Sequence, residues 1–362
     1  MEATRTSTGG FQTRPYNKRI RAGLGLLIVV LVMSAVPFLI ALLDGQSIAG
    51  VVANEPGQSK FIQGLLIEVF ILAIFALSYD LIFGITGLLS FGHAMFFAVG
   101  AYLTGIMFKT FGWSLLPTLG LLVVVAILQA LLFSIVLPRV KGVTFALVTL
   151  GMAEVFHIII QTREVVDYTG ADVGLQGIPI PAFLNPATER LRFYFIALGI
   201  LVLVYLLCRR FVDSPTGHVC VATRENEDRA LMLGYNTFYF KLAALTVASF
   251  IAALAGMMHA IYQPIVSPHI ASLPFTVNAL LMVLIGGMGT LTGAPIGAAV
   301  LRLLSFYFEK FFGDSSGFLL GLVYVLIVLF LPYGVVGTWK LKSFQWRGGW
   351  KRLLGALGLG KG

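Results

Sequence analysis

About ten runs of predominantly apolar residues, most of them near twenty long, constrain this chain more than any other feature, because a helix needs roughly 20 such residues to cross about 30 Å of hydrocarbon. They occupy residues 22–43, 61–83, 88–108, 115–137, 144–161, 193–208, 242–262, 274–285, 291–308 and 317–336. Inside a bilayer each backbone polar group must find its partner within the protein, so runs of this length predict helices. Composition agrees: 58% of the 362 residues are hydrophobic and 11% are charged, with a mean hydropathy of +0.93, whereas a water-facing domain carries about 25% charged residues. A soluble enzyme is excluded. The expected fold is all-α, a polytopic transmembrane helical bundle of about ten spans.

The formal net charge of +9 is concentrated in tails and loops beside the apolar runs. That distribution implies membrane orientation and a lipid environment rather than a nucleic-acid partner. Arg5, Arg14, Lys18, Arg19 and Arg21 precede the first run; Lys340, Lys342, Arg347, Lys351, Arg352 and Lys361 follow the last. Both termini are therefore expected in the cytoplasm, which requires an even number of crossings and splits the region Phe275 to Phe308 into two spans. The resulting organisation is a cytoplasmic basic tail at 1–21, a transmembrane domain at 22–337 with a cytoplasmic segment at 209–241, and a second basic tail at 338–362. The loop 162–192 then faces outward. The first run could imitate a signal peptide, but its length favours a retained anchor. Cys208 and Cys220 fall on the reducing side and suggest no disulfide.

Two glycine-rich stretches interrupt the apolar pattern. Gly84-Ile85-Thr86-Gly87-Leu88-Leu89-Ser90-Phe91-Gly92-His93 contributes Gly87, Ser90, Gly92 and His93 as candidate pathway or hinge positions, against the alternative of a tight turn packed through small residues. Gly286-Gly287-Met288-Gly289-Thr290 contributes Gly286, Gly287, Gly289 and Thr290, since broken helices expose terminal N–H and C=O groups that bind the ends of a zwitterion. Neither has the lysine and hydroxyl residue of a phosphate loop, so no nucleotide or other cofactor is expected in this chain.

Between the sixth and seventh runs, Ala222 to Asn236 reads as a short amphipathic helix. Thr223 is expected to cap it and Gly234 to end it, with Arg224–Asp228 and Glu225–Arg229 as i,i+4 pairs and Ala222, Asn226, Ala230 and Leu233 on another face. It suits docking, or lying on the membrane surface. Ionisable residues within the runs are functional suspects: Glu68, Asp80, Glu154, His157, His259 and Arg302. Glu154 and His157 can touch at i,i+3, and a structural hydrogen bond is favoured over a metal pair, so no metal site is expected. Asp80 and Arg302 are expected to snorkel from the cytoplasmic ends of their spans.

Taken in order, these segments make the chain resemble the permease subunits of bacterial ABC importers for branched-chain amino acids, the LivM-like type. The landmarks are Gly87 to His93, Phe145 to Gly151 with Glu154, Thr169 to Pro179, Arg224-Glu225-Asn226, Gly286 to Thr290, and Pro332-Tyr333-Gly334. Departures are Gly170-Ala171-Asp172, where a further Gly and Ser are usual, and Phe91, where Leu is common. The resemblance implies a homologous second permease, two cytoplasmic ATPases that bind the ATP, and an extracytoplasmic binding protein, in the bacterial inner membrane. It casts Arg224, Glu225, Asn226, Arg229, Ala230, Leu233 and Gly234 as a coupling helix, and the chain as a transport subunit without hydrolytic chemistry. The open alternatives are a urea or short-amide permease, an ion-coupled secondary transporter using Glu154, His157 or Asp80, and an intramembrane hydrolase using Ser90 and His93.

Overall fold

A computed structural model describes residues 16–339 apart from residue 332. The expected tail cations Arg5, Arg14 and those from Lys340 onward lie outside the described residues, as does Pro332 of the last landmark. The chain forms two compact units, residues 1–62 and 63–362. The first holds α1 (Tyr16–Leu43) and α2 (Ile48–Val52), the latter capped by Ser47, whose hydroxyl oxygen accepts from the Gly50 N–H at 3.0 Å.

The remaining elements begin with α3 (Gln58–Tyr79), which continues as a π-helical turn over Asp80–Ile85. Then come α4 (His93–Lys109), α5 (Leu115–Ser134), α6 (Val143–Gln161), the short α7 (Val166–Thr169), β1 (Leu175–Gln176) and α8 (Arg190–Val212). After them follow α9 (Pro215–Glu225), α10 (Glu227–Met232), α11 (Thr237–Tyr262), β2 (Ile265–Val266), α12 (Leu273–Gly286), α13 (Gly293–Phe312) and α14 (Ser316–Phe330). The strands pair antiparallel, Leu175 opposite Val266, and tie the 162–192 loop to the end of α11.

Each of the ten apolar runs forms a helix. Six described helices are long and apolar enough to cross a membrane: 23–43, 58–85, 115–134, 143–161, 190–212 and 237–262. The others are short, as α12 and α14 are, or carry charge, as α13 does with Arg302, Glu309 and Lys310. The run at 88–108 becomes helical only at His93, because the backbone turns at Gly87 (φ +79°) and the Leu88 N–H bonds back to the Ile82 carbonyl at 2.8 Å.

The centre of the second unit is the crossing of α4 and α11. A Cβ on Gly100 would collide with the Ala253 carbonyl, and one on Gly256 with the Phe97 carbonyl, so small residues set how closely these backbones approach. Phe75 of α3, Phe97 of α4 and Phe275 of α12 fill the adjoining space with ring centroids 4.9–5.2 Å apart. Large apolar side chains such as Leu116, Leu128, Leu147 and Phe318 are exposed along α5, α6 and α14. An uncovered apolar area of that extent needs lipid or another membrane subunit against it.

Candidate functional site

Three segments far apart in sequence meet at one end of the bundle. The Asp80 carboxylate, fully buried, accepts from the Gly289 N–H at 2.6 Å and the Leu291 N–H at 3.0 Å. The Arg224 guanidinium, on the last turn of α9, donates through Nη1 to the Gly84 carbonyl. Both glycine-rich stretches are therefore turns at the same end as α9, α3 to α4 and α12 to α13, rather than breaks within one span.

Glycine is required where they touch. Gly289 has φ +72°, and a Cβ there would stand 2.7 Å from the Gly84 oxygen and 2.9 Å from Arg224 Nη1; one on Gly87 would stand 2.9 Å from Arg224 Cγ. Gly286 lies so close to Gly293 that a Cβ would strike its carbonyl, while Thr290 braces the turn by donating to the Gly287 carbonyl at 2.7 Å.

Asp80 does not snorkel: it satisfies two backbone N–H groups of the turn between α12 and α13. Arg302 does not snorkel either. It sits midway along α13 and pairs with Glu68 of α3, Nε at 2.6 Å and Nη2 at 2.5 Å from the same oxygen. Neither partner was legible from local spacing, since each lies more than 200 residues away.

The expected helix over Ala222 to Asn236 is two helices. The chain is extended at Asn226 (φ −163°), and Asn226, not Thr223, is the cap, its Oδ1 accepting from the Arg229 N–H at 2.9 Å. Thr223 instead turns its hydroxyl back to the Val219 carbonyl. The pairs Arg224–Asp228 and Glu225–Arg229 thus straddle a break and do not form a helix face. Gly234 (φ +86°) does end α10. Glu225, Asn226, Arg229, Leu233 and Gly234 are exposed, Met232 to 87%, whereas Ala230 is buried.

Glu227 anchors α10 to α11 through Lys241 at 2.5 Å and the Thr237 hydroxyl at 2.9 Å, with Lys141 at 3.6 Å. Burial pushes the Glu227 carboxyl upward, but the bonds from Lys241 and Thr237 and the two ammonium charges outweigh it and hold it below the usual carboxylate range. Lys141 is correspondingly raised by Glu227 and Asp228.

Ser90, Gly92 and His93 lie inside the bundle. The Ser78 hydroxyl donates to the Phe75 carbonyl at 2.6 Å and therefore accepts from His93 Nε2 at 2.8 Å, and the rings of Phe75, Tyr79 and Phe96 enclose the imidazole. Gly92 abuts the Thr149 carbonyl, and the Phe91 N–H donates to the Thr149 hydroxyl at 3.2 Å. A hydrolytic pair at Ser90 and His93 would have no access to water or substrate. Glu154 and His157 are hydrogen-bonded at 3.2 Å on an exposed face of α6.

Residues 61–331 match the family described as the branched-chain amino acid transport system permease component. The high-affinity branched-chain amino acid transport system permease protein LivM of Salmonella typhimurium is 29% identical, over 76% of this chain and 71% of its own. The probable branched-chain amino acid transport permease LivM of Methanocaldococcus jannaschii is 26% identical, over 73% and 89%. LivH of Escherichia coli, a permease protein of the same kind of system, is 24% identical, over 73% and 91%. No solved structure matches significantly. A match spanning nearly the whole helical region, together with its apolar helices, makes this chain a multi-pass membrane protein of the branched-chain amino acid transport permease family.

Proposed function

We propose that this chain is a permease subunit of an ATP-binding-cassette importer that carries leucine, isoleucine and valine across the bacterial inner membrane, with both termini cytoplasmic and about ten crossings. The observation that carries the reading is the family match over residues 61–331. The existence of both LivM and LivH relatives supports a homologous second permease beside it. Two cytoplasmic ATPases would bind the ATP and an extracytoplasmic binding protein would deliver the substrate.

On this reading α9 and α10 form the coupling segment. Glu225, Arg229 and the exposed apolar tip of Met232 and Leu233 meet an ATPase groove, while Arg224 on the opposite side holds the α3–α4 turn. Asp80 holds the α12–α13 turn, so a push on α9 reaches both helix pairs through two adjacent contacts. Closely packed helices have discrete arrangements rather than continuous deformation, which suits a switch between outward-open and inward-open states. The exposed α6 face with Glu154 would meet the sister permease.

The test is ATP-dependent leucine uptake in proteoliposomes holding the reconstituted importer, with urea and acetamide as competing substrates. Uptake of urea in place of leucine would reassign the substrate. Replacing Glu225 and Arg229 by alanine is expected to lower ATPase co-purification and substrate-stimulated hydrolysis; unchanged values for both would remove the docking assignment.

A further inference from the structure

At the end of the bundle opposite Arg224 the second unit holds a cavity of about 760 Å³, its wall including Glu68, Arg190, His259, Gln263, Phe275 and Asn278. The placement follows from α11, whose 26 residues separate Thr237 beside α10 from Tyr262 at the cavity by about 39 Å. A second cavity of about 150 Å³ lies beside it, walled by Leu72, Phe75, Met282, Leu301 and Arg302, and Phe275 and Asn278 belong to both walls. The Glu68–Arg302 ion pair spans the same partition, one member on each side.

Three features of this partition point to a ligand. Both Arg302 contacts go to a single Glu68 oxygen, Oε2, so among the described residues the Arg302 Nη1 group has no acceptor. Glu68 Oε1 receives only the long 3.3 Å bond from Gln263, which a stronger donor would displace. Ionised groups this far along membrane helices are expensive, and a pair left with free bonding capacity beside a cavity is poorly explained by packing alone. Apart from Arg302, Asn278 and Ser305, whose hydroxyl bonds to that of Tyr324 at 3.3 Å, the smaller cavity is lined by apolar side chains, and a largely apolar cavity of about this size accepts a benzene-sized guest.

We propose that this partition is a transient binding site for the zwitterion of a branched-chain amino acid within this single chain. Arg302 Nη1 receives the α-carboxylate, Glu68 Oε1 with the Asn278 side-chain oxygen receives the α-ammonium, and the branched side chain occupies the smaller cavity against Leu72, Met282 and Leu301. Charge-assisted bonds at both ends require a free α-amino acid, and the cavity size limits the side chain. The site rests on the importer reading and adds to it a point of substrate contact apart from the glycine-rich turns and apart from the sister interface.

The experiment is equilibrium binding of radiolabelled leucine to the full-length chain in lipid nanodiscs, with isoamylamine (no carboxylate), 4-methylpentanoate (no ammonium) and phenylalanine as competitors. For the unaltered chain each competitor is expected to bind at least tenfold more weakly than leucine. Arg302→Gln is expected to erase the preference over isoamylamine and leave that over 4-methylpentanoate; Glu68→Gln is expected to do the reverse. Leu301→Ala, which leaves the ion pair intact, is expected to improve phenylalanine relative to leucine at least threefold. Absence of saturable leucine binding, or variants that weaken all ligands equally, would overturn the site. ATP-driven leucine uptake by the complete importer is measured in parallel: if it persists while the chain binds nothing, the site fails and the importer reading stands, whereas its absence fails that reading itself.

Discussion

Replacing Asp80 by asparagine changes one oxygen to an NH₂ group without changing shape. The carboxylate now receives two backbone N–H groups, from Gly289 and Leu291, at 2.6 and 3.0 Å and away from water. Asparagine keeps one acceptor and turns an NH₂ towards the other donor, so one charge-assisted bond is lost and one buried N–H is left unpaired. Together these are worth about 2–3 kcal/mol. A contact weakened by that much opens roughly 30- to 150-fold more often. Asp80→Ala removes both acceptors and should approach twice the effect.

Because Arg224 holds the neighbouring turn to α9, the same change is expected to loosen transmission as well as stability. Hydrogen exchange of the 286–293 amides in nanodiscs reads the first effect. The ratio of leucine transported to ATP hydrolysed reads the second. In Asp80→Asn the amides should exchange tens of times faster and the ratio should fall. Exchange and ratio both equal to those of the unaltered chain would refute the idea that this carboxylate ties the α12–α13 turn to α3.

Further expectations follow from other contacts. Gly289→Ala forces a side chain into φ +72° and against the Gly84 carbonyl and Arg224, so transport should drop sharply while Gly120→Ala, with open space around it, changes nothing; paired uptake assays check this. Gly256→Leu should abolish the yield of folded chain, because its Cβ meets the Phe97 carbonyl across the central helix crossing; monodisperse yield in detergent is the measurement. The Glu227 carboxyl is held low in the folded state, so the stability it adds is present above the unfolded carboxyl pKa and disappears as pH falls through the lowered folded value. The protection of α10 amides, taken relative to their intrinsic exchange rate at each pH, should therefore fall on acidification in the unaltered chain, and Glu227→Gln should already show the low protection at neutral pH.

The helices were legible because hydrophobic length is a local property: each apolar run predicted its helix, and Gly286 to Thr290 marked the division between α12 and α13. What local spacing could not carry was pairing. Asp80 and Arg302 looked like snorkelling end residues, yet their partners come from the α12–α13 turn and from α3, brought together only by the packed bundle. The break at Asn226 was hidden for a different reason. Arg224 to Arg229 has good helical spacing of opposite charges, but Asn226 competes for the Arg229 N–H with its own side chain, and the chain restarts there. Thr223, the more conspicuous capping residue, is used inside a helix instead. His93 could be read either as a pathway contact or as a packed histidine, and only the ring cage and Ser78 decide that it is packed in this conformation.

The most direct measurement compares purified preparations in sealed proteoliposomes: this chain by itself, and this chain with a homologous permease, two ATPases and a leucine-loaded binding protein. We expect leucine to accumulate only in the second, only with ATP inside the compartment that the ATPases face, and to be insensitive to proton and sodium ionophores. Uphill leucine accumulation by the chain alone, abolished by an ionophore and indifferent to ATP, would contradict a permease driven by separate ATPases.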